Sequence, residues 1–220
     1  MTVAPRRFGA ETSKTREILL DCVERLMLDE GYAAVTFRAV AAKADVTPSL
    51  VQYYFRTLDG IFLAAIRRYS ERNIAHLTRV LQVPADQLPR VLWNYSRDEA
   101  TSALTTEFMA LGNHRKSVRA EIAAVTERVR TLQLEALTTN YRGFGPLGDD
   151  LAPGALLLLL TGMPKFLGLE QGIGVTTAHQ ELVDAFERHL SPAGSDPAGR
   201  SARLTADVMR PGYGSTTGDR

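Results

Sequence analysis

Between Thr15 and Leu28 the apolar residues fall at Ile18, Leu19, Cys22, Val23, Leu26 and Met27, one stripe of a helix with 3.6 residues per turn, and Gly31 ends it. Thr36 is the expected N-cap of a short second helix reaching about Lys43, with Phe37, Val40, Ala41 and Ala44 inward. Ala44-Asp45-Val46 reads as a turn, and Thr47-Pro48 opens a third helix, threonine capping and proline in the first helical position. Thr57 caps a longer helix with Ile61, Phe62, Ala65, Ile66 and Tyr69 on its apolar face, running on towards Leu77, Val80 and Leu81. Val83 to Pro89 is a proline-bounded break. Helical spacing then resumes at Val91 to Tyr95, Leu104 to Leu111, Val118 to Tyr141, Ala155 to Gln171 and Thr177 to Leu190. Almost no strand pattern occurs, so the expected fold is all-α, of about nine helices.

Composition narrows this picture only slightly. A chain of 220 residues, 45% hydrophobic and 23% charged, is an ordinary globular protein and can bury one sizeable core or a small domain joined to a larger one. The net charge of +1 argues neither for nor against nucleic acid, because a neutral chain can carry a basic face. A single cysteine, Cys22, sits on an apolar stripe and reads as a buried structural thiol, without a disulfide framework, which makes a cytoplasmic location the expectation. The N-terminus lacks the apolar region of a secretory signal, and the run Ala155 to Leu160 falls well short of the roughly 20 residues that cross a bilayer. His76, His114, His179 and His189 form no metal-ligand spacing, and no phosphate loop or nucleophile elbow is present; neither catalysis, a metal nor a cofactor is expected.

Two short helices joined by a three-residue turn and braced by a longer helix on each side describe a helix-turn-helix. Their close crossing needs a small residue, which Ala41 supplies, and the turn needs one that tolerates positive φ, which falls to Asp45. With these features the segment Thr15 to Tyr69 closely resembles the DNA-binding domain of the TetR family of bacterial transcriptional regulators. The resemblance lies in "EGYAAVTFRAVAAKA", in the recognition-helix pattern V-x-x-x-x-V-x-Y-Y-F, and in T-x-D-G-I-F at the start of the fourth helix. It covers about the first third of the chain. It implies a homodimer that places two third helices in the major grooves of an inverted-repeat operator. It also implies a C-terminal domain that dimerises and binds a small-molecule effector, most members being repressors associated with the nucleoid through their operators. An activator of the same fold, or a helical small-molecule carrier without DNA binding, stands as the alternative.

On that reading the chain divides into a flexible basic arm (1–14, with Arg6 and Arg7 reaching a minor groove), a DNA-binding domain (15–60), an effector and dimerisation domain (61–190) and a flexible tail (191–220) rich in Ser, Gly, Pro, Asp and Arg. Thr47 offers a hydroxyl to phosphate, Ser49 permits close approach, Gln52 has the groups to pair with adenine, and Pro48 and Leu50 suit a thymine methyl, although Leu50 fits a core position equally. Tyr53 and Tyr54 either both reach the DNA backbone or one of them packs beneath the helix. Arg38 and Lys43 place charge at the two ends of the second helix. Two positions depart from the family pattern: Leu58 stands where many members have a phosphate-contacting lysine, and Asp45 stands where glycine is common.

In the C-terminal part, Trp93, Phe108, Met109, Met163 and Phe166 lie on helices that would line an effector cavity, or else are plain core. "GNHRKS" (Gly112 to Ser117) is either an anion-facing corner or a solvated turn. Leu182, Val183, Phe186 and Leu190 share a face of the last helix, and the preceding helix, with Leu158, is apolar nearly all round, as a helix between its own domain and a partner would be. Leu158, Leu182 and Phe186 are therefore the dimer candidates, with a single-chain core as the other explanation.

Overall fold

The computed structural model describes residues 6–139 and 151–190, with side chains from Lys14 onward apart from residues 99–102. The described residues are helical, without a strand: α1 (Arg6–Glu30), α2 (Phe37–Lys43), α3 (Pro48–Tyr54), α4 (Leu58–Val80), α5 (Leu88–Arg97), α6 (Glu99–His114), α7 (Lys116–Thr139), α8 (Pro153–Gly172) and α9 (His179–Leu190). Single 3-10 turns lie at Tyr32–Ala34 and Ala85–Gln87. None of these helices is long and apolar enough to cross a membrane. Two boundaries differ from the sequence reading. Helix α1 begins at Arg6, inside the segment expected as an arm. Pro89 belongs to the first turn of α5 rather than to the break, a place where its missing N–H has no intrahelical partner to lose. The expected tail lies outside the described residues.

The caps fix the N-terminal helices. Thr36 Oγ1 accepts from Ala39 N at 3.0 Å and Thr57 Oγ1 from Gly60 N at 3.0 Å, each satisfying one of the free N–H groups at a helix start. Helix α2 ends in paired carbonyl caps: Val46 N donates to Ala41 O at 3.0 Å and Asp45 N to Ala42 O at 3.4 Å. That geometry requires the left-handed conformation at the residue between, and Asp45 adopts it with φ 53°. Thr47 occupies the N-cap of α3 by backbone, but its hydroxyl does not cap; it pairs with Ser49 Oγ at 3.0 Å.

A first core gathers Leu19, Val23, Val40, Val51 and Phe62 from α1 to α4, and runs without a break into Leu104, Phe108 and Leu111 of α6 and Val118 of α7. A second core joins α5, α8, α9 and the C-terminal end of α7. At its centre the Trp93 ring stacks on Phe186, centroids 4.4 Å apart and planes within 5°. Helix α4 is tied to α1 by ions as well as by packing. Arg68, 11% exposed, meets Glu17 at 3.1 Å, Asp21 at 2.9 Å and Glu24 at 2.8 Å, and Arg72 pairs with the other Glu24 oxygen.

Glu24 is 3% exposed, and removing its charge takes from Arg72 its carboxylate partner and leaves the half-buried Arg68 with only the more exposed Glu17 and Asp21. Glu24→Gln is expected to lower stability by about 3 kcal/mol, read as a lower urea midpoint at unchanged slope. A loss below about 0.5 kcal/mol, the range of neutral surface changes, would show that Asp21 and Glu17 hold α4 without it.

Candidate nucleic-acid interface and cavity

Helix α3 rests on Val51, which is fully buried, and on Phe55 just beyond its end, so that Pro48, Ser49, Gln52 and Tyr53 face outward. Thr47, Pro48, Ser49 and Gln52 are exposed, Leu50 is half-buried, and Tyr53 is 74% exposed. Tyr54 is half-buried against the first core, its ring edge-on to Tyr53 at 5.3 Å. The two tyrosines therefore separate into an outward and an inward residue. A shallow surface cleft brings Arg38, Pro48, Gln52 and Leu58 together with Thr36 and Phe37, so the start of α2, the face of α3 and the start of α4 form one surface. Arg38 is exposed and makes no ion pair among the described residues, whereas Lys43 Nζ lies 2.8 Å from Asp29. Such an exposed pair is worth at most about 1 kcal/mol and exchanges readily for a phosphate. Arg56, in the turn before Leu58, is a further exposed cation that the sequence reading passed over while comparing position 58 with the family pattern. The side chains of Arg6 and Arg7 lie outside the described residues.

This surface is clamped to the rest of the molecule at the corner between α6 and α7. Arg115 Nη1 donates to Asp59 Oδ1 at 2.8 Å and Ser117 Oγ to Asp59 Oδ2 at 2.6 Å. Tyr32 N donates to Glu107 Oε2 at 2.8 Å, the Tyr32 ring stacks on His114 at 5.8 Å, and Arg67 makes a two-point bond to Glu121 at 2.9 Å. "GNHRKS" is thus the corner that grips the start of α4 and the loop after α1.

A cavity lies between the two cores, bounded by α4, α5, α6, α7 and α8. Of the five residues expected around a cavity, Phe108 and Met109 line it. Trp93 is in the second core, Met163 packs at that core's edge, and Phe166 is 51% exposed on the outer side of α8. The polar lining was not foreseen: Tyr69, Tyr95, Gln133 and Lys165 read in sequence as solvent positions or as single apolar-stripe residues, and only the tertiary arrangement brings them together. Burial raises the Tyr69 phenol to about 12 and raises that of Tyr95 as well, so both remain hydrogen-bond donors at neutral pH. Tyr69 Oη shares a 2.9 Å hydrogen bond with Thr105, and Tyr95 Oη donates to Asn73 Oδ1. Among the dimer candidates, Leu158 is 47% exposed, Leu182 is half-buried, and Phe186 is engaged with Trp93 inside the chain.

Residues 19–65 match the family model described as bacterial regulatory proteins, tetR family. An HTH-type transcriptional regulator of the dhlA 5′ region of Xanthobacter autotrophicus is 38% identical over 64 residues, 29% of this chain and 32% of that one. The HTH-type transcriptional regulator AcrR of Shigella flexneri is 26% identical over 136 residues, 60% of this chain and 63% of its own length. The chain thus matches less than two thirds of either relative. A protein of Saccharomonospora viridis solved in complex with choline shares the fold, with a TM-score of 0.63 at 17% identity over 81% of this chain and 94% of that one.

Hydrogen bonds from Ser117 and then Arg115 hold the Asp59 carboxyl below its ordinary range. A carboxylate with a lowered folded pKa stabilises the protein above its unfolded value and loses that contribution as pH falls through the folded one. Wild-type stability is therefore expected to fall more steeply below about pH 4 than that of Asp59→Asn, when urea unfolding is followed across pH. Parallel curves would show that the corner holds without this carboxylate.

Proposed function

We propose that this member of the TetR family of bacterial regulatory proteins is a homodimeric repressor of an inverted-repeat operator, released when a small molecule occupies the cavity between the two cores. The observation that carries the reading is the outward face of α3, where Thr47, Pro48, Ser49, Gln52 and Tyr53 stand exposed on a helix anchored from beneath by Val51. In the major groove, Gln52 would pair with an adenine edge while Pro48 and Leu50 meet thymine methyls. Thr47, Tyr53, Arg38 and Lys43 would contact phosphates and fix the register, with Tyr54 holding α3 to the core. Arg56 would supply backbone charge near the site where Leu58 offers none. Such binding weakens steeply with salt, because each neutralised phosphate releases counterions.

Dimerisation is supported by α8. Its inner face buries Leu156, Leu157, Leu160 and Pro164, while Leu158, Phe166, Leu169 and Ile173 lie 47 to 80% exposed along the opposite side. Between them Gly162 has open space where a side chain would stand. This is an apolar stripe at helical spacing with no cover from the described residues, which suits a second copy related by a two-fold axis. The axis would set the two α3 helices about 34 to 36 Å apart, one turn of DNA, or a multiple of it.

Release follows from α4. Ile66, Tyr69 and Asn73 present one side of this helix to the cavity, and the Arg68 and Arg72 ion pairs fix its other side to α1. A ligand that favours a displaced α4 carries the N-terminal helices with it and changes the distance between the recognition helices of the dimer.

Selection of bound sequences from a random duplex pool is expected to return an inverted repeat, and Gln52→Ala to relax it at one symmetric base pair at a cost of about 1 to 3 kcal/mol. A folded protein that enriches no motif at low salt would overturn the reading. Independently, Leu169→Arg is expected to leave the fold intact, convert the dimer to a monomer in sedimentation velocity and abolish operator binding. A dimer unchanged by that charge would move the interface away from α8.

A further inference from the structure

The cavity's polar groups have one sign. Lys165 of α8 and Arg130 of α7 line it, and no described aspartate or glutamate does. Neither cation has an ion-pair partner among the described residues. The carboxylates Glu24 and Asp98 act on the Tyr69 phenol, and Glu24 is already held by Arg68 and Arg72. Gln133, one helical turn from Arg130, is 5% exposed and lines the cavity, as does Ser96, 4% exposed. A half-buried ammonium without a counterion is unfavourable, and the charge of the exposed Arg130 beside it adds to that cost. Burial and then the charge of Arg130 lower the Lys165 pKa, the strain expected of an ammonium that lacks an anion. The rest of the lining includes the apolar Ile66, Phe108, Ile122 and Val125.

We propose that the cavity takes a small organic monocarboxylate, its carboxylate seated between Lys165, Arg130 and the Gln133 carboxamide and its apolar or aromatic body against Phe108, Ile122 and Val125. The inference rests on the effector reading above and adds the chemistry of the effector. The free volume of about 70 Å³, where a single water takes about 10 to 15 Å³, limits the ligand to a compact molecule. An arginine meets a carboxylate with two parallel N–H bonds, and the lysine and amide supply the remaining donors. The same arrangement rejects a quaternary ammonium such as the choline held by the Saccharomonospora viridis protein, since two cations would face a third.

The test is calorimetry on the full chain with benzoate, its neutral isostere benzamide, and choline, followed by operator binding in the presence of each. Benzoate is expected to bind about tenfold or more tightly than benzamide, the effect of charge-assisted bonds, with no heat from choline. Lys165→Met should erase the preference for benzoate and leave benzamide binding unchanged. Equal binding of benzoate and benzamide to the wild type, tighter binding of choline, or no heat from any probe at millimolar concentration would overturn the carboxylate site, and none of these comparisons needs a variant to fold. Benzoate binding with the expected preference but without loss of operator affinity would uphold the site and refute release by its occupant.

Discussion

Helix α4 is held on two sides by different physics. Its apolar side places Ile61, Phe62, Ala65 and Ile66 in the first core, while Arg68 and Arg72 lock it to α1 through Glu17, Asp21 and Glu24. An ion cluster with one carboxylate and one guanidinium largely withdrawn from water does not yield gradually. Breaking one partner leaves an uncompensated charge, so α1 and α4 behave as a single body. The α6–α7 corner grips the start of that body through Asp59, and the cavity presses on its middle through Tyr69. A helix pinned in this manner transmits displacement instead of absorbing it, and the small N-terminal helices follow because Val40, Val51 and Phe55 are embedded in the same core.

The surface proposed to meet DNA is not strongly basic, and its charges are conditional. Lys43 is shared with Asp29, Asp45 places a carboxylate at the turn before α3, and Arg38 and Arg56 are exposed cations near α3 without ion pairs among the described residues. A net charge of +1 adds no long-range attraction. On the proposed reading, affinity then rests on close contacts of α3 more than on a basic field, which places a greater share of discrimination on Gln52 and its neighbours.

Local chemistry was legible in the sequence where it is decided locally. Thr36 and Thr57 cap because a hydroxyl before a helix meets N–H groups that have no other partner, and Asp45 takes positive φ because the carbonyl caps of α2 demand it. The α1 stripe predicted the buried face at Leu19, Cys22, Val23, Leu26 and Met27 because periodicity defines that face, whereas Ile18, expected on the same stripe, is 44% exposed at its edge. The same logic misplaced the role of Thr47, whose hydroxyl had a nearer partner in Ser49, and missed the early start of α1. Around the cavity it had little to work with. Gln133 and Lys165 are polar residues on long helices, indistinguishable in sequence from solvated ones until α7 and α8 are brought together, and Trp93 looks like a ligand platform until Phe186 stacks on it.

The contrast between the two buried regions of the C-terminal half shows where stability has been given up. Around Trp93 the helices close completely, ring on ring, with Leu92, Leu157 and Leu160 filling the space. A few residues away the same helices leave a void lined by Gln133, the exposed Arg130 and the half-buried Lys165, whose ammonium carries a desolvation cost that leucine or methionine would remove. Pro164 sits at this boundary in α8, between the cavity-lining Thr161 and Lys165, and removes a backbone donor from the helix there. Packing considerations explain the first region and not the second. On the proposed reading, an occupant with the opposite charge relieves the desolvated Lys165, and that relief would supply the differential free energy a ligand needs in order to shift α4.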